Sequence, residues 1–248
     1  MAKSLKNFRP VYVAGIGLHR YQPTGDTSYV ELGLTAVRGA LLDAAITWED
    51  VETAYVSRGF LPMAAGRPML RHLGATGLTI THVENASASG SAALRQACLD
   101  VAAGLVDVAL AVGVDKPQPI ASAERSLKLE SIAEDAIPPA AHFALLADQY
   151  RSRSGATPEE LALVAVKNHG NGALNPFAHR QKARTLDEIM QAPLIAGCLT
   201  SLQCCPVSEG AAAVIVVSED AVRRLGMNAA RAIRVAGSAA RSQPFYAD

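Results

Sequence analysis

Apolar and polar residues alternate along the chain in a pattern of short strands and amphipathic helices. Four early segments combine apolar runs with a length typical of buried strands: 11–16, 53–57, 78–83 and 108–113. Between them, apolar residues recur at helical spacing, as Val30, Leu34 and Val37 do after the possible N-cap Ser28. Strands that alternate with helices predict right-handed crossovers and a mostly parallel sheet.

The segments that follow the first and third of these strands are the places to look for a ligand-binding or catalytic motif. The glycines of "GIGLHR" predict a turn that ends the first strand, and they do not form a dinucleotide-binding fingerprint, which argues against NAD. The third strand leads through "ENASA" into a helix predicted from Ser89 to Ala103. Side chains that precede a helix in this way lie beside its free backbone N–H groups.

The alternation breaks between residues 117 and 205, where seven prolines punctuate mainly helical segments. Thr157, Pro158 and Glu160 form a predicted capping box with proline at the first helical position. We therefore expect residues 117–205 to form an inserted helical domain. Residues 1–116 and 206–248 would form the α/β core, with a further apolar strand in 211–217, a short helix closed by Gly226 and a last strand at about 230–237.

Composition and charge exclude several classes of protein. Half of the 248 residues are hydrophobic and 5% are aromatic, while Lys+Arg and Asp+Glu both number 23, so no net field attracts nucleic acid. The four cysteines form no CxxC pair and no Cys/His spacing, which predicts no metal site. No apolar run reaches the roughly 20 residues of a membrane span, and the polar start predicts no secretory signal. We expect a reducing, cytoplasmic location.

Ser87 is the candidate reactive residue, because it precedes the helix predicted from Ser89. A helix N-terminus favours negative charge, and it can activate a cysteine, but a serine hydroxyl needs an adjacent base. Ser87 can therefore be a nucleophile, a residue that lines a pocket, or a helix cap. Asn85, with Glu84, can orient Ser87 or a substrate carbonyl, although a polar strand end explains both equally well.

Three blocks, taken together, carry a family resemblance: "VENASASGSAAL", "KNHGNGALNPFA" and "LQCCPVSEGAAAVIVVSE". In this order they resemble the thiolase superfamily, and most closely its sterol-carrier-protein or lipid-transfer-protein branch. The resemblance implies a thiolase-like layered α/β/α fold with a mostly parallel central sheet and a helical loop-domain insertion. It covers the first of the family's two pseudo-symmetric halves, and the final strand resembles the start of the second half.

The resemblance also implies roles for individual residues. Ser87 stands where typical thiolases have the nucleophilic cysteine, and the His and Cys motifs of the second half are not in this sequence. His142 with Phe143 matches a His-Met pair that packs near the pantetheine arm of coenzyme A. His169 and Asn175 are expected to stabilise the inserted domain through hydrogen bonds. Cys204 and Cys205 are expected to be buried, structural thiols before a strand.

Two functions follow from the resemblance. The first is a carbon–carbon bond enzyme that acts on an acyl-CoA and binds no cofactor. Because Ser87 replaces cysteine, retro-aldol cleavage of a hydroxyacyl-CoA, such as one from a sterol side chain, fits better than thiolysis. The second is a non-catalytic acyl-CoA-binding half-thiolase subunit, or a truncated and inactive fragment. We expect a homodimer formed through strand 78–83, and a partner chain of the DUF35/OB-fold type.

Overall fold

The computed structural model describes residues 5–117 and 139–241 and divides the chain into two compact units. The first unit contains residues 5–19, 26–116 and 210–241, and the second contains residues 20–25, 117 and 139–209. Parts of the two predicted domains, residues 118–138 and 242–248, lie outside the described residues.

The described residues form eight strands and seven α-helices. The strands are β1 (Val11–Gln22), β2 (Thr53–Ser57), β3 (Thr79–Val83), β4 (Val108–Asp115), β5 (Leu194–Ala196), β6 (Leu199–Thr200), β7 (Glu209–Ser218) and β8 (Ile233–Arg234). The helices are α1 (Tyr29–Ala44), α2 (Gly66–Leu70), α3 (Ser89–Ala103), α4 (Pro139–Ser154), α5 (Pro158–Leu174), α6 (Leu186–Met190) and α7 (Glu219–Arg224).

Six of the strands form one sheet in the order β3-β2-β4-β7-β1-β8. β3, β2 and β4 run parallel, whereas β7 pairs with β4 and β8 pairs with β1 in the antiparallel direction. The predicted strands at 11–16, 78–83, 108–113 and 211–217 therefore lie in a single sheet. This arrangement confirms the predicted α/β fold, with a mixed central sheet.

Helices cover both faces of the sheet. Successive side chains of a strand point to opposite faces, so one strand contributes to the core on each side. On β4, Leu110 and Val112 pack into a cluster with residues of α1, α2 and α7, while Ala109 and Ala111 pack into a second cluster with α3. α3 spans the predicted residues and ends at Gly104, whose φ of 79° gives it the left-handed conformation common at helix C-termini. The layers place the start of α3 beside the end of β3.

The prediction that β1 ends in a turn at its glycines is wrong, because the strand continues unbroken to Gln22. Gly15 and Gly17 instead allow α1 to approach the strand closely. A Cβ atom at Gly15 would lie 2.4 Å from the Ala40 carbonyl oxygen, and one at Gly17 would lie 2.0 Å from that of Ala36. The glycines therefore serve helix–strand packing. The predicted last strand is also shorter than expected, since β8 has two residues.

The second unit contains α4, α5 and α6 and the two-stranded sheet of β5 and β6. The predicted capping box is confirmed: Thr157 accepts a hydrogen bond from the Glu160 backbone N–H, and the Glu160 carboxylate accepts one from the Thr157 N–H. A small cluster of Ala162, Ala165 and Ile189 packs α5 against α6. This cluster contains three buried residues, far fewer than either of the two clusters that pack on the six-stranded sheet.

Candidate functional site

The turn that joins β3 to α3 has an unusual backbone and carries Ser87. Residues Ala86–Ala88 form a single 3₁₀ turn, and Asn85 before it has φ −156° and ψ 49°. Ala86 has φ 45°, a left-handed conformation that non-glycine residues rarely adopt. Residues held in such conformations cluster at active sites and ligand clamps. The Ser87 turn, defined here as residues 85–88, is therefore the strongest candidate site of the first unit.

Two side chains of the segment hold this turn. Ser89 is 5% exposed, and its Oγ accepts a hydrogen bond from the Asn85 N–H and donates one to the Ala86 carbonyl oxygen, both at 2.7 Å. The exposed carboxylate of Glu84 accepts a hydrogen bond from the Ala86 N–H at 2.6 Å. Sequence reasoning did not identify Ser89, because nothing in "SASGS" distinguishes its hydroxyl from those of Ser87 and Ser91.

Ser87 itself is exposed, and no side chain among the described residues of its unit forms a hydrogen bond with its Oγ. The residue before α3, Ala88, provides no side-chain cap, so the helix N-terminus is not occupied by a capping oxygen. The geometry offers backbone N–H groups and a helix dipole to an oxyanion beside Ser87. It provides no base that would activate the hydroxyl.

A cavity of about 600 Å³ adjoins the turn on one side of α3. Asn85 and Ala88 line it, together with Arg95, Cys98 and residues 237–241. The Arg95 guanidinium donates to the backbone and side-chain oxygens of Ser238, at 2.8 and 3.0 Å. Burial raises the pKa of the Cys98 thiol to about 11, against the opposing effect of Arg95, so this thiol stays protonated at neutral pH and cannot replace the missing nucleophile.

His82 on β3 is the histidine of this unit with a displaced pKa. Burial lowers its pKa, and the positive charges of Arg58 and Arg67 lower it further. Its Nε2 accepts a hydrogen bond from the Gly66 N–H at 2.9 Å, which ties β3 to the start of α2. His82 is therefore a neutral structural acceptor rather than a partner of Ser87.

His142 and Phe143, the other predicted site residues, lie on α4 in the second unit. Their rings make an edge-to-face contact with centroids 5.5 Å apart and planes at 73°. His142 is half-buried, and Phe143 is 61% exposed. An exposed aromatic ring beside an imidazole provides an apolar and a polar surface for a ligand.

The remaining predicted residues of the second unit have structural contacts. Buried His169 makes a hydrogen bond of 2.9 Å through Nε2 with the Leu202 carbonyl, and Asn175 accepts one from the Phe177 N–H, as predicted. Cys204 and Cys205 are free thiols that line a cavity of about 360 Å³ with Arg180. The expectation that both cysteines are buried is wrong, because Cys205 is exposed.

Two features are absent from residues 5–117 and 139–241. No group of three or more His, Cys, Asp or Glu side chains in these ranges is arranged to hold a metal ion. Likewise, no helix in this part of the chain combines the length and the hydrophobicity needed to cross a membrane.

Comparisons with known proteins agree with this geometry. The family model for the thiolase N-terminal domain matches residues 22–220. Benzoylsuccinyl-CoA thiolase subunit BbsB of Thauera aromatica is 34% identical over 251 residues, which cover 98% of this chain and 63% of that protein. Sterol carrier protein 2 of Gallus gallus is 35% identical over 233 residues, which cover 87% of this chain and 42% of that protein.

The solved structure of an Ltp2-ChsH2(DUF35) aldolase is also similar, with a TM-score of 0.70 and 26% sequence identity. The match covers 86% of this chain and 57% of the other. In all three comparisons, the chain spans less than two thirds of the length of the protein that it matches.

Proposed function

This chain belongs to the thiolase superfamily, and we propose that it takes part in carbon–carbon bond cleavage of a coenzyme A thioester at the Ser87 turn. The observation that supports this proposal most is the strained backbone at Ala86, immediately before an exposed Ser87 at the start of α3. Such a turn brings a side chain and free N–H groups to the same point.

Retro-aldol cleavage fits these groups better than thiolysis through an acyl-enzyme. A serine nucleophile needs a base in hydrogen-bond contact, and the described residues of the first unit provide none for Ser87. The N-terminal N–H groups and dipole of α3 remain suited to stabilising negative charge on a thioester oxygen. This role requires no covalent bond to the protein.

The proposed step begins when a base removes the proton of the hydroxyl on the β-carbon of a hydroxyacyl-CoA. The bond between the α- and β-carbons then breaks, and its electron pair forms the enolate of a shortened thioester while the β-carbon becomes a carbonyl. The protonated base then returns this proton to the α-carbon, which converts the enolate to the shortened acyl-CoA and regenerates the base. In this scheme, Ser87 and the start of α3 stabilise the enolate oxygen, and the base contacts the substrate hydroxyl rather than Ser87.

In the first unit, Asn85 would orient the thioester from the cavity side. In the second unit, taken by itself, His142 and Phe143 would provide a surface for a pantetheine arm. A sterol side chain as the acyl group is supported by the similarity to sterol carrier protein 2, and cleavage by the similarity to the Ltp2-ChsH2(DUF35) aldolase. That aldolase contains a DUF35 chain, and we propose a partner of the same type here. β3 is an edge strand of the sheet, which suits pairing with a second copy in a homodimer. We place this activity in the cytoplasm.

The second candidate is a non-catalytic subunit that binds acyl-CoA. The absence of a base on Ser87 among the described residues of its unit favours this function as well. Both candidates predict that the chain binds the thioester, but only the first predicts that it is cleaved.

The test incubates the purified chain with a sterol-side-chain β-hydroxyacyl-CoA and, separately, with acetyl-CoA. We expect a carbonyl product and a shortened acyl-CoA from the first, and no mass increase on the Ser87 peptide from the second. Ser87→Ala should lower kcat about 10- to 100-fold, because it removes a donor to the enolate. Ser91→Ala is the matched control, since its hydroxyl bonds only the Ala88 carbonyl.

Two other results would contradict retro-aldol cleavage by this chain. An acetyl group on Ser87 would show that a base does reach this hydroxyl, and retro-aldol cleavage would lose its support. Binding of the thioester by calorimetry without any cleavage would favour the non-catalytic subunit.

A further inference from the structure

We propose that Ser89 is a positioning residue that holds the Ser87 turn in the conformation in which it binds an oxyanion. This inference rests on the proposed function at Ser87, but it assigns a role to a side chain that touches no substrate. The Ser89 hydroxyl bonds the N–H of Asn85 and the carbonyl of Ala86, and so it ties the first residue of α3 to the start of the turn.

The orientation of Ser89 separates this role from helix capping. A capping side chain accepts a hydrogen bond from an N–H two or three residues further along the helix. Ser89 is the first residue of α3, and its hydroxyl points back to residues three and four positions before it. The helix N-terminus therefore lacks a side-chain cap, because Ala88 occupies that position. Apart from the Ser89 N–H, which donates to the Ala86 carbonyl, the first N–H groups of the helix are left available to a ligand.

Burial explains why Ser89, rather than Glu84, would control the turn. Glu84 is exposed, so water competes for the Ala86 N–H that it accepts. Ser89 is buried, so its two hydrogen bonds cannot be replaced by solvent. Removing the hydroxyl leaves the Asn85 N–H without its partner. It also removes one of the two donors to the Ala86 carbonyl, the other being the Ser89 backbone N–H, at the residue that must keep its left-handed conformation.

The experiment measures the turn with a thiol probe rather than through catalysis. Ser87→Cys places a thiol in the turn, and its alkylation by iodoacetamide is followed from pH 6 to pH 10 by peptide mass spectrometry. We expect the apparent pKa of this thiol to lie below the ordinary value of about 8.5, because of the helix N-terminus. Exposed Cys205 in the same molecule provides an internal reference for alkylation.

Adding Ser89→Ala should raise the apparent pKa by about half a unit and lower the alkylation rate at pH 7 about threefold. Ser89→Thr retains the hydroxyl and should restore both values, and Ser91→Ala should change neither. The rate at Cys205 should be the same in every variant. Thermal unfolding of each variant shows that the helix is intact at the assay temperature.

An unchanged apparent pKa in the folded Ser89→Ala variant would overturn the proposal. An equal shift with Ser91→Ala would also overturn it, because the effect would then belong to any serine of the first turn. The probe is independent of turnover. A wild-type chain without aldolase activity, but with the expected probe behaviour, would reject the proposed function and retain the role of Ser89.

Discussion

The two helices that carry the candidate residues, α3 and α4, have nearly equal lengths and opposite environments. α3 packs against β2 and β4 and buries six residues, among them Ala93, Ala97 and Val101. α4 buries only Ala144, while Phe143, Leu145, Leu146 and Tyr150 are exposed. α3 is therefore built into the core of its unit, whereas α4 presents apolar side chains to its surroundings.

The two environments suit two different tasks in the binding of a large thioester. A group that stabilises charge must be held rigidly, because a loosely held donor contributes little to a transition state. A surface that contacts the long arm of a ligand needs exposed apolar area instead. Ser87 is attached to the first kind of helix, and His142 and Phe143 belong to the second.

The largest effect is expected when a charge is placed on equivalent apolar positions of the two helices. Ala97→Asp buries an unpaired carboxylate, since Ala97 is fully buried, and should lower the free energy of unfolding by about 3 kcal/mol or more. Leu145→Asp lies on an exposed position and should change it by less than about 0.5 kcal/mol. Urea denaturation followed by circular dichroism measures both variants. Equal losses would show that α4 is packed as firmly as α3.

A second effect should appear at high pH, at the contact that joins α3 to β2. Tyr55 donates a hydrogen bond to Asp100 of α3. Burial, the hydrogen bond to Asp100 and the negative charge of Asp100 together raise the pKa of Tyr55 to about 12. Between pH 10 and 12 an unfolded tyrosine loses its proton while the folded one keeps it, so stability falls as pH rises.

This loss should reach about 2 kcal/mol. Tyr55→Phe removes the titrating group, so the stability difference between wild type and variant should shrink as pH rises from 10 toward 12. Urea midpoints at several pH values measure it. A difference that is constant over this range would contradict the raised pKa.

The smallest effect on stability is expected at α4, together with a separate effect on binding. His142→Ala should weaken binding of acetyl-CoA about three- to tenfold, because the imidazole is proposed to contact the ligand, while the free energy of unfolding changes by less than about 0.5 kcal/mol. Gln149→Ala, at an exposed polar position of the same helix, is the control and should leave the dissociation constant unchanged. Isothermal titration calorimetry distinguishes the two. Unaltered binding in His142→Ala would contradict the proposed contact between α4 and the ligand.

The features that depend on local sequence could be predicted, and those that depend on packing could not. The bounds of α3 and the capping box at Thr157 follow from helical spacing and from short-range hydrogen-bond partners. The left-handed Ala86 and the clamp by Ser89 depend on tertiary burial, which leaves no trace in three similar serines. The antiparallel direction of β7 could not be predicted from the sequence either, because a long insertion separates β7 from β4, the strand that it pairs with.

The predicted turn at Gly15 and Gly17 was wrong for the same reason. Glycine can mark a turn or a close approach, and only the position of α1 decides between them. The sequence suggested that these glycines allow a turn, whereas their lack of a Cβ atom allows α1 to pack against β1.

The close packing of β1 against α1 at Gly15 and Gly17 also has an evolutionary consequence. When two side chains clash, a second mutation that shortens the partner can restore the fit. At Gly15 and Gly17 the nearest obstacles are the carbonyl oxygens of Ala40 and Ala36, and these oxygens are the same in every amino acid. A side chain at either glycine therefore has no compensating substitution in α1. Selection for revertants of Gly17→Ala should recover true reversions at this codon, and second-site suppressors should not arise among the neighbouring alanines.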